Sequence, residues 1–169
     1  INGYEDLPWR DLTDIKGIGP DKAVTICAAI ELGRRLTYIY DKRKLENFST
    51  PEKVSAFFME RLRHETQEHF LVAFVNVKNR LLGYKEVSIG GLNETPVDIK
   101  EAMKWAIRYK AFGLILLHNH PSGYPEPSKE DIEMTKTFAK AAQLLDMEVL
   151  DHVIIGDGIY VSLHERGVI

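Results

Sequence analysis

Residues 116–131 read LLHNHPSGYPEPSKED, an apolar run that stops at two histidines, followed by a proline-rich loop and then a serine and an aspartate. On extended backbone, residues two apart point to the same side, so His118 and His120 can aim both imidazoles at one point. Asp131 lies three residues after Ser128, one helical turn on, so those two side chains share a face. The loop 121–127 is long enough to fold the helix start back over the strand end. Two imidazoles and a carboxylate make a three-ligand site for Zn²⁺, with the fourth position left to water, the open coordination that a catalytic zinc needs. A closed structural site would want a fourth protein ligand, usually cysteine, and none is near. The plainer account is that Ser128 caps a helix and Asp131 complements its dipole.

A metal-activated water needs a base. Glu65, Glu68, Glu86, Glu94 and Glu126 are all candidates by local charge. The stretch His64-Glu65-Thr66-Gln67-Glu68-His69 looks at first like an HExxH zinc helix, but its second histidine is at i+5, off the face that i and i+4 would share. His64 and His69 therefore read as surface or strand-edge residues. Glu68 sits just before an apolar strand, where it can be held beside the core, but position alone does not select it. His152, next to Asp151 in a strand, reads as a satisfied core histidine, with support of the metal site as the alternative. Cys27, among Ile26, Ala28 and Ala29, reads as a buried helix residue.

The elements that must position these residues follow from pattern. HFLVAFVNVK (69–78) is rich in Val and Phe and reads as a buried strand, turned by Asn79-Arg80 into a second strand over 81–89. Thr95-Pro96 opens a helix that runs to Lys110, and GLILL (113–117) is a short buried strand. A helix follows over 128–146. Strands 148–155 and 159–163 are joined by Gly156-Asp157-Gly158, a hairpin signal. Upstream, Ser49-Thr50-Pro51-Glu52 starts a helix reaching about Arg63, by a capping box or with Thr50 as cap and Pro51 first. Residues 23–36 are helical in pattern. The hairpins argue against an all-parallel doubly wound sheet.

Bulk properties set the limits. The 169 residues suffice for one sizeable domain plus a small appendage, and 44% hydrophobic with 28% charged is the composition of a soluble globular protein. A net charge of −3 gives no global signature for nucleic acid, so any such contact must be local. One cysteine excludes an internal disulfide and suits a reducing cytoplasm. No apolar run reaches the length of a spanning helix, so no membrane partner is expected. Beginning at Ile1, the chain reads as a fragment with an upstream part missing.

The arrangement E…HxHP…SxxD, with seven residues between the second histidine and the serine, resembles the JAMM motif of MPN+ metalloproteases. HNHPSG…PSxxD followed by LDHVIIGDGIYVSLHERG resembles the bacterial RadC family in particular, and IKGIGPDKA…ELGRRL extends that likeness upstream. The resemblance implies a JAMM/MPN (cytidine-deaminase-like) fold, a mixed β-sheet flanked by helices, over 49–169. A linker over 41–48 and a small all-α helix–hairpin–helix module over 1–40 precede it. It implies one Zn²⁺ per chain on His118, His120 and Asp131. Glu68 is then the residue that holds and deprotonates the water, and Ser128 stabilises the developing oxyanion. The implied reaction is hydrolysis of a peptide or isopeptide bond in a peptide or protein substrate. Asn119 stands where deubiquitinating relatives tend to carry Ser or Thr, and there is little room for the insertions with which they grip ubiquitin. Both departures stand against ubiquitin-like specificity.

Ile15-Lys16-Gly17-Ile18-Gly19-Pro20-Asp21-Lys22-Ala23 has the hxGhGxxxA form of a helix–hairpin–helix element. Gly17 and Gly19 allow a tight turn whose backbone N–H groups meet a phosphate, and Lys16 and Lys22 add non-specific attraction, so duplex or branched DNA is an expected partner of this module. A compact interhelical turn that binds nothing is the alternative. Two further readings stand beside the hydrolase: a DNA-binding accessory protein of repair or recombination with a vestigial or nucleic-acid-directed metal site, and a zinc-stabilised scaffold.

Overall fold

The most apolar segments of the chain become its innermost strands. The computed structural model describes residues 9–90 and 97–169, with the backbone alone for 34–45. Five strands form one sheet: β1 His69–Val75, β2 Leu81–Ile89, β3 Gly113–Asn119, β4 Glu148–Ile155 and β5 Tyr160–Ser162, in the spatial order β2-β1-β3-β4-β5. β1 runs antiparallel to both β2 and β3, β3 runs parallel to β4, and β4–β5 is an antiparallel hairpin. The described helices are α1 Trp9–Leu12, α2 Pro20–Leu45, α3 Pro51–Leu62, α4 Ile99–Tyr109 and α5 Lys129–Gln143. The single parallel pair needs a crossover, and α5 supplies it. This is the mixed sheet with flanking helices that the resemblance implies.

The chain divides into two compact units, Ile1–Lys42 and Arg43–Ile169. In the second, helices cover both faces of the sheet. Phe70, Val72, Phe74, Leu114 and Leu116 pack against Ala102, Met103 and Ala106 of α4 and Phe138 and Ala142 of α5. Leu71, Ala73, Val75, Ile115, Leu117, Val153 and Ile155 pack against Val54, Phe58 and Leu62 of α3. Fully burying each such side chain is worth about 1.5–3 kcal/mol, so β1 and β3, buried on both faces, are the rigid centre from which the site is built.

Several boundaries differ from the pattern-based expectation. β3 extends to Asn119, past the expected Leu117, so His118 belongs to the sheet itself. α2 continues to Leu45, so the linker expected over 41–48 is helical for its first five residues. Thr50 stands at the cap of α3 in extended backbone with Pro51 first in the helix, and its side chain makes no capping bond. α4 starts at Ile99, capped by the Asp98 carboxylate, which accepts from the Glu101 N–H. The start expected at Thr95-Pro96 lies outside the described residues.

One irregularity controls the site. In the β3–β4 pair, Leu114 stands opposite Val149 but Ile115 stands opposite Asp151, leaving Leu150 extra on β4. Because strand side chains alternate, one extra residue exchanges the faces of everything after it. His152 consequently lies opposite Leu116, on the face that α5 covers.

In the first unit, the short α1 and long α2 flank a turn in which Gly17 adopts φ 94°, a left-handed conformation that glycine tolerates without strain. Lys22 Nζ donates to the Gly17 carbonyl at 3.0 Å, closing the turn on itself. Among the described residues, no helix is long and apolar enough to cross a membrane.

Candidate metal centre

β3 delivers His118 and Asn119 at its end, and the chain then turns. The His120 N–H still bonds the Ile155 carbonyl of β4 at 2.9 Å, so His120 stays tied to the sheet edge. The loop beyond is fixed at several points. The Asp157 N–H donates to the Gly123 carbonyl at 3.0 Å. Arg166 grips the Glu126 carboxylate with both terminal nitrogens, Nη2 to Oε2 at 2.9 Å. Gly156 is required where it stands, because a Cβ there would meet the Gly123 carbonyl oxygen at 2.3 Å and Pro125 Cδ at 2.8 Å. The pinned loop carries the chain to α5, whose first turn brings Asp131 back to the histidines.

Ser128 is indeed the cap of α5. Its hydroxyl accepts from the Asp131 N–H at 3.1 Å, and Asp131 Oδ2 accepts from the Ser128 N–H at 2.7 Å, a complete capping box. The Ser128 hydroxyl also donates to Asp131 Oδ2 at 2.7 Å. The other oxygen, Asp131 Oδ1, lies 3.1 Å from His118 Nε2, and Oδ2 lies 3.5 Å from His120 Nε2. Cap and candidate metal ligand are one arrangement, since the helix start is what aims the carboxylate.

The tautomers follow from the outer partners. His120 Nδ1 lies 2.8 Å from the Tyr124 carbonyl and must donate to it. His118 Nδ1 lies 2.8 Å from His152 Nε2, and His152 Nδ1 lies 2.6 Å from Thr135 Oγ1, whose hydroxyl donates to the Asp131 carbonyl at 2.6 Å. The Thr135 proton is thus committed to that carbonyl, so His152 Nδ1 must carry the hydrogen and Nε2 must accept from His118. With neutral rings, His118 and His120 then present Nε2 lone pairs inward, 2.9 Å apart. With the carboxylate they form a converging set of electron-rich atoms, all within 4.8 Å of one another. Such a set is repulsive unless a proton or a cation joins it. Tetrahedral zinc with bonds near 2.0–2.1 Å has ligand–ligand edges of about 3.3–3.4 Å, within the observed spread. His118, His120 and Asp131 can therefore hold a metal ion, and their donor set fits zinc.

Without a metal, a proton on the imidazoles takes the cation's place and lets them donate to Asp131. Burial pushes the Asp131 carboxyl up, but hydrogen bonds from His118 and His120, the charge of His118 and the Ser128 hydroxyl outweigh it and hold the group well below the usual carboxylate range. His120 is raised, first by its bond to Asp131, with Glu68 adding a smaller attraction. Burial, then the neighbouring His118, keeps His152 well below the ordinary imidazole value, so it stays neutral as the acceptor role requires.

Glu68 precedes β1, half-buried. Phe70–His118 is the last pair of the β1–β3 ladder, and Glu68 follows two residues beyond it, near enough for its charge to raise His120. The other candidate bases are engaged elsewhere: Glu65 and Glu86 with His69, at 3.4 and 2.5 Å, and Glu126 with Arg166. Glu94 lies outside the described residues. His152 is a buried core histidine, as the sequence suggested, but it also supports His118, the reading that sequence ranked second. Thr135 behind it, and Phe70 stacked on the His118 ring at 5.8 Å, were not singled out by spacing at all. The only sequence signal for them is polar and aromatic content within apolar periods, and strand order is needed to interpret it. Lys16, Gly17 and Gly19 lie in the turn of the first unit and Lys22 in the first turn of α2.

The RadC-like JAB domain profile matches residues 48–168. This chain belongs to the RadC family. Among its relatives is a UPF0758 protein of Halalkalibacterium halodurans, 49% identical over 160 residues, which cover 94% of this chain and 68% of that protein. A UPF0758 protein of Caldanaerobacter subterraneus is 49% identical over 158 residues, covering 92% of this chain and 66% of that one. A UPF0758 protein of a Geobacillus species is 44% identical over 164 residues, covering 96% and 72%. This RadC chain thus spans about two thirds to three quarters of the length of these relatives. The matched RadC profile takes in every residue of the centre and of its pinned loop.

Proposed function

We propose that this RadC protein is a zinc-dependent hydrolase that cleaves a peptide or isopeptide bond. The observation that carries the reading is the hydrogen-bonded histidine chain, which turns two Nε2 atoms and a carboxylate toward one point, with no fourth protein ligand beside them among the described residues. Zinc held there would supply Lewis acidity toward a carbonyl and bring the pKa of a bound water toward about 7. The protein's own groups do the rest. Glu68, whose charge reaches His120, takes the proton of the attacking water and passes it to the leaving amine. Ser128 has one hydroxyl proton. Turning it from Asp131 Oδ2 toward the substrate oxygen lets Ser128 stabilise the oxyanion while it still accepts from the Asp131 N–H, a contribution on the order of 3 kcal/mol. Phe70 and His152 exclude water from behind the ligands.

Metal content and turnover of a peptide library test this together. Wild type should take up one zinc and hydrolyse peptides. His118→Ala and Asp131→Ala should lose the metal, and Glu68→Gln should keep it but lose at least 100-fold in turnover, the scale of general base catalysis (about 10²–10⁴). A wild type that stays metal-free in added zinc overturns the reading. Full turnover in Glu68→Gln overturns the assignment of the base.

A further inference from the structure

Asn119 is fully buried between the two histidine ligands, in a strand, where asparagine is disfavoured. A carboxamide buried without partners is strongly unfavourable. Its partners are specific. Oδ1 accepts from the His69 N–H at 2.8 Å, and Nδ2 donates to the Gln67 carbonyl at 2.9 Å. These two backbone groups flank Glu68.

The β1–β3 ladder explains the need. Its last backbone pair toward the site is Phe70–His118, and the next would be His69–Asn119. At that point the Asn119 side chain takes over. A carboxamide copies a peptide group, one donor and one acceptor in a plane, so it continues the ladder where the main chain of β3 turns toward His120. On the other side of the same segment, the Gly90 N–H donates to the Glu68 carbonyl at 2.8 Å. Residue 68 is thereby held from β2 and β3 at once.

We infer that Asn119 is the positioning residue for Glu68: its carboxamide clamps the backbone on either side of Glu68 and fixes that residue near His120, without touching the metal. The inference rests on Glu68 as the proposed base. It gives the residue between the histidines a task distinct from theirs. His118 and His120 face the metal, while Asn119 reaches across the sheet to the base.

The test compares the zinc-loaded full chain with Asn119→Leu, similar in volume but without polar atoms, and Asn119→Asp, which keeps the acceptor for His69 and loses the donor to Gln67. Zinc affinity should stay within about threefold of wild type, since the ligands are untouched. In Asn119→Leu, exchange of the His69 amide should rise about tenfold or more, the weight of one net hydrogen bond. NMR relaxation should show a disordered Glu68 side chain, and kcat should fall with KM little changed. Asn119→Asp should protect the His69 amide better than the leucine variant and recover part of kcat, and it carries the test if the leucine variant does not fold. His69 protection and Glu68 order equal to wild type in these variants overturn the inference. So does a loss confined to zinc affinity. If wild type cleaves no peptide, the hydrolase reading fails, while His69 exchange and Glu68 order still decide whether Asn119 clamps this segment.

Discussion

Replacing His152 with phenylalanine separates support of a metal ligand from packing. The ring shape is largely kept, and Phe70 and His118 lie around it at 5.5 and 4.9 Å between centroids, so the pocket is already aromatic. What is lost is the acceptor for His118 Nδ1–H. Thr135 keeps its bond to the Asp131 carbonyl, so one buried donor, the His118 N–H, is orphaned. Such a group costs about 1–3 kcal/mol. With the tautomer of His118 no longer fixed, Nε2 is free to carry the hydrogen, and zinc binding must first reverse that. Loss of such an outer partner weakens metal affinity about 10–100-fold, or about 1.4–2.8 kcal/mol, the same scale as the orphaned donor. Zinc competition against a chromophoric chelator measures the affinity, and thermal melts of the metal-free protein measure the structural cost. A His152→Phe protein with unchanged zinc affinity refutes the argument and returns His152 to the role of a core residue.

The same group predicts acid sensitivity of the metal-free protein. His152 is depressed in the folded state, so below about pH 6.5 the unfolded chain binds a proton that the folded chain refuses, and stability falls by up to about 1.4 kcal/mol per pH unit. His120, raised by Asp131, contributes stability that is already complete below about 6.5 and is lost only as pH rises through its folded value, while Asp131 begins to cost stability only below about pH 4. Chemical denaturation between pH 5 and 6.5 should therefore show a slope that His152→Phe flattens. Gly156→Ala drives a Cβ into the Gly123 carbonyl and should cost about 1–3 kcal/mol with weakened zinc binding, read by melts and chelator competition. Zinc should raise the melting temperature and a chelator should reverse it, whereas a melting temperature indifferent to both contradicts the three-ligand centre. For the first unit, duplex DNA affinity that weakens with salt and with Lys16→Ala and Lys22→Ala supports the DNA reading, and no affinity at low ionic strength removes it.

How far the site was legible differed from residue to residue. His118, His120 and Asp131 could be grouped because two local rules, the strand period and the helical turn, act within fourteen residues. Strands β1, β2 and β4 could be read because their apolar runs are long and bounded by turn residues. His152 could not be placed, because the register shift at Leu150 decides which face it joins, and that shift depends on how β3 and β4 pair. Glu68 could not be chosen among five glutamates from position, because its nearness to His120 follows from β1 lying beside β3 rather than from sequence distance. The task of Asn119 could not be read, since its partners lie 50 and 52 residues away. Within the linker expected at 41–48, helical propensity carries α2 on to Leu45.

The strand order has a consequence for kinetics. His118 meets His152 across 34 residues, and Asn119 meets Gln67 across 52, so the centre is complete only after the long loops of the sheet have closed. An ion that recognises the finished centre stabilises the native state but not the partly ordered states on the way to it. Refolding rates should then be insensitive to zinc, while unfolding slows in proportion to occupancy. Metal supply would be written into the lifetime of the folded chain rather than into the speed with which it forms.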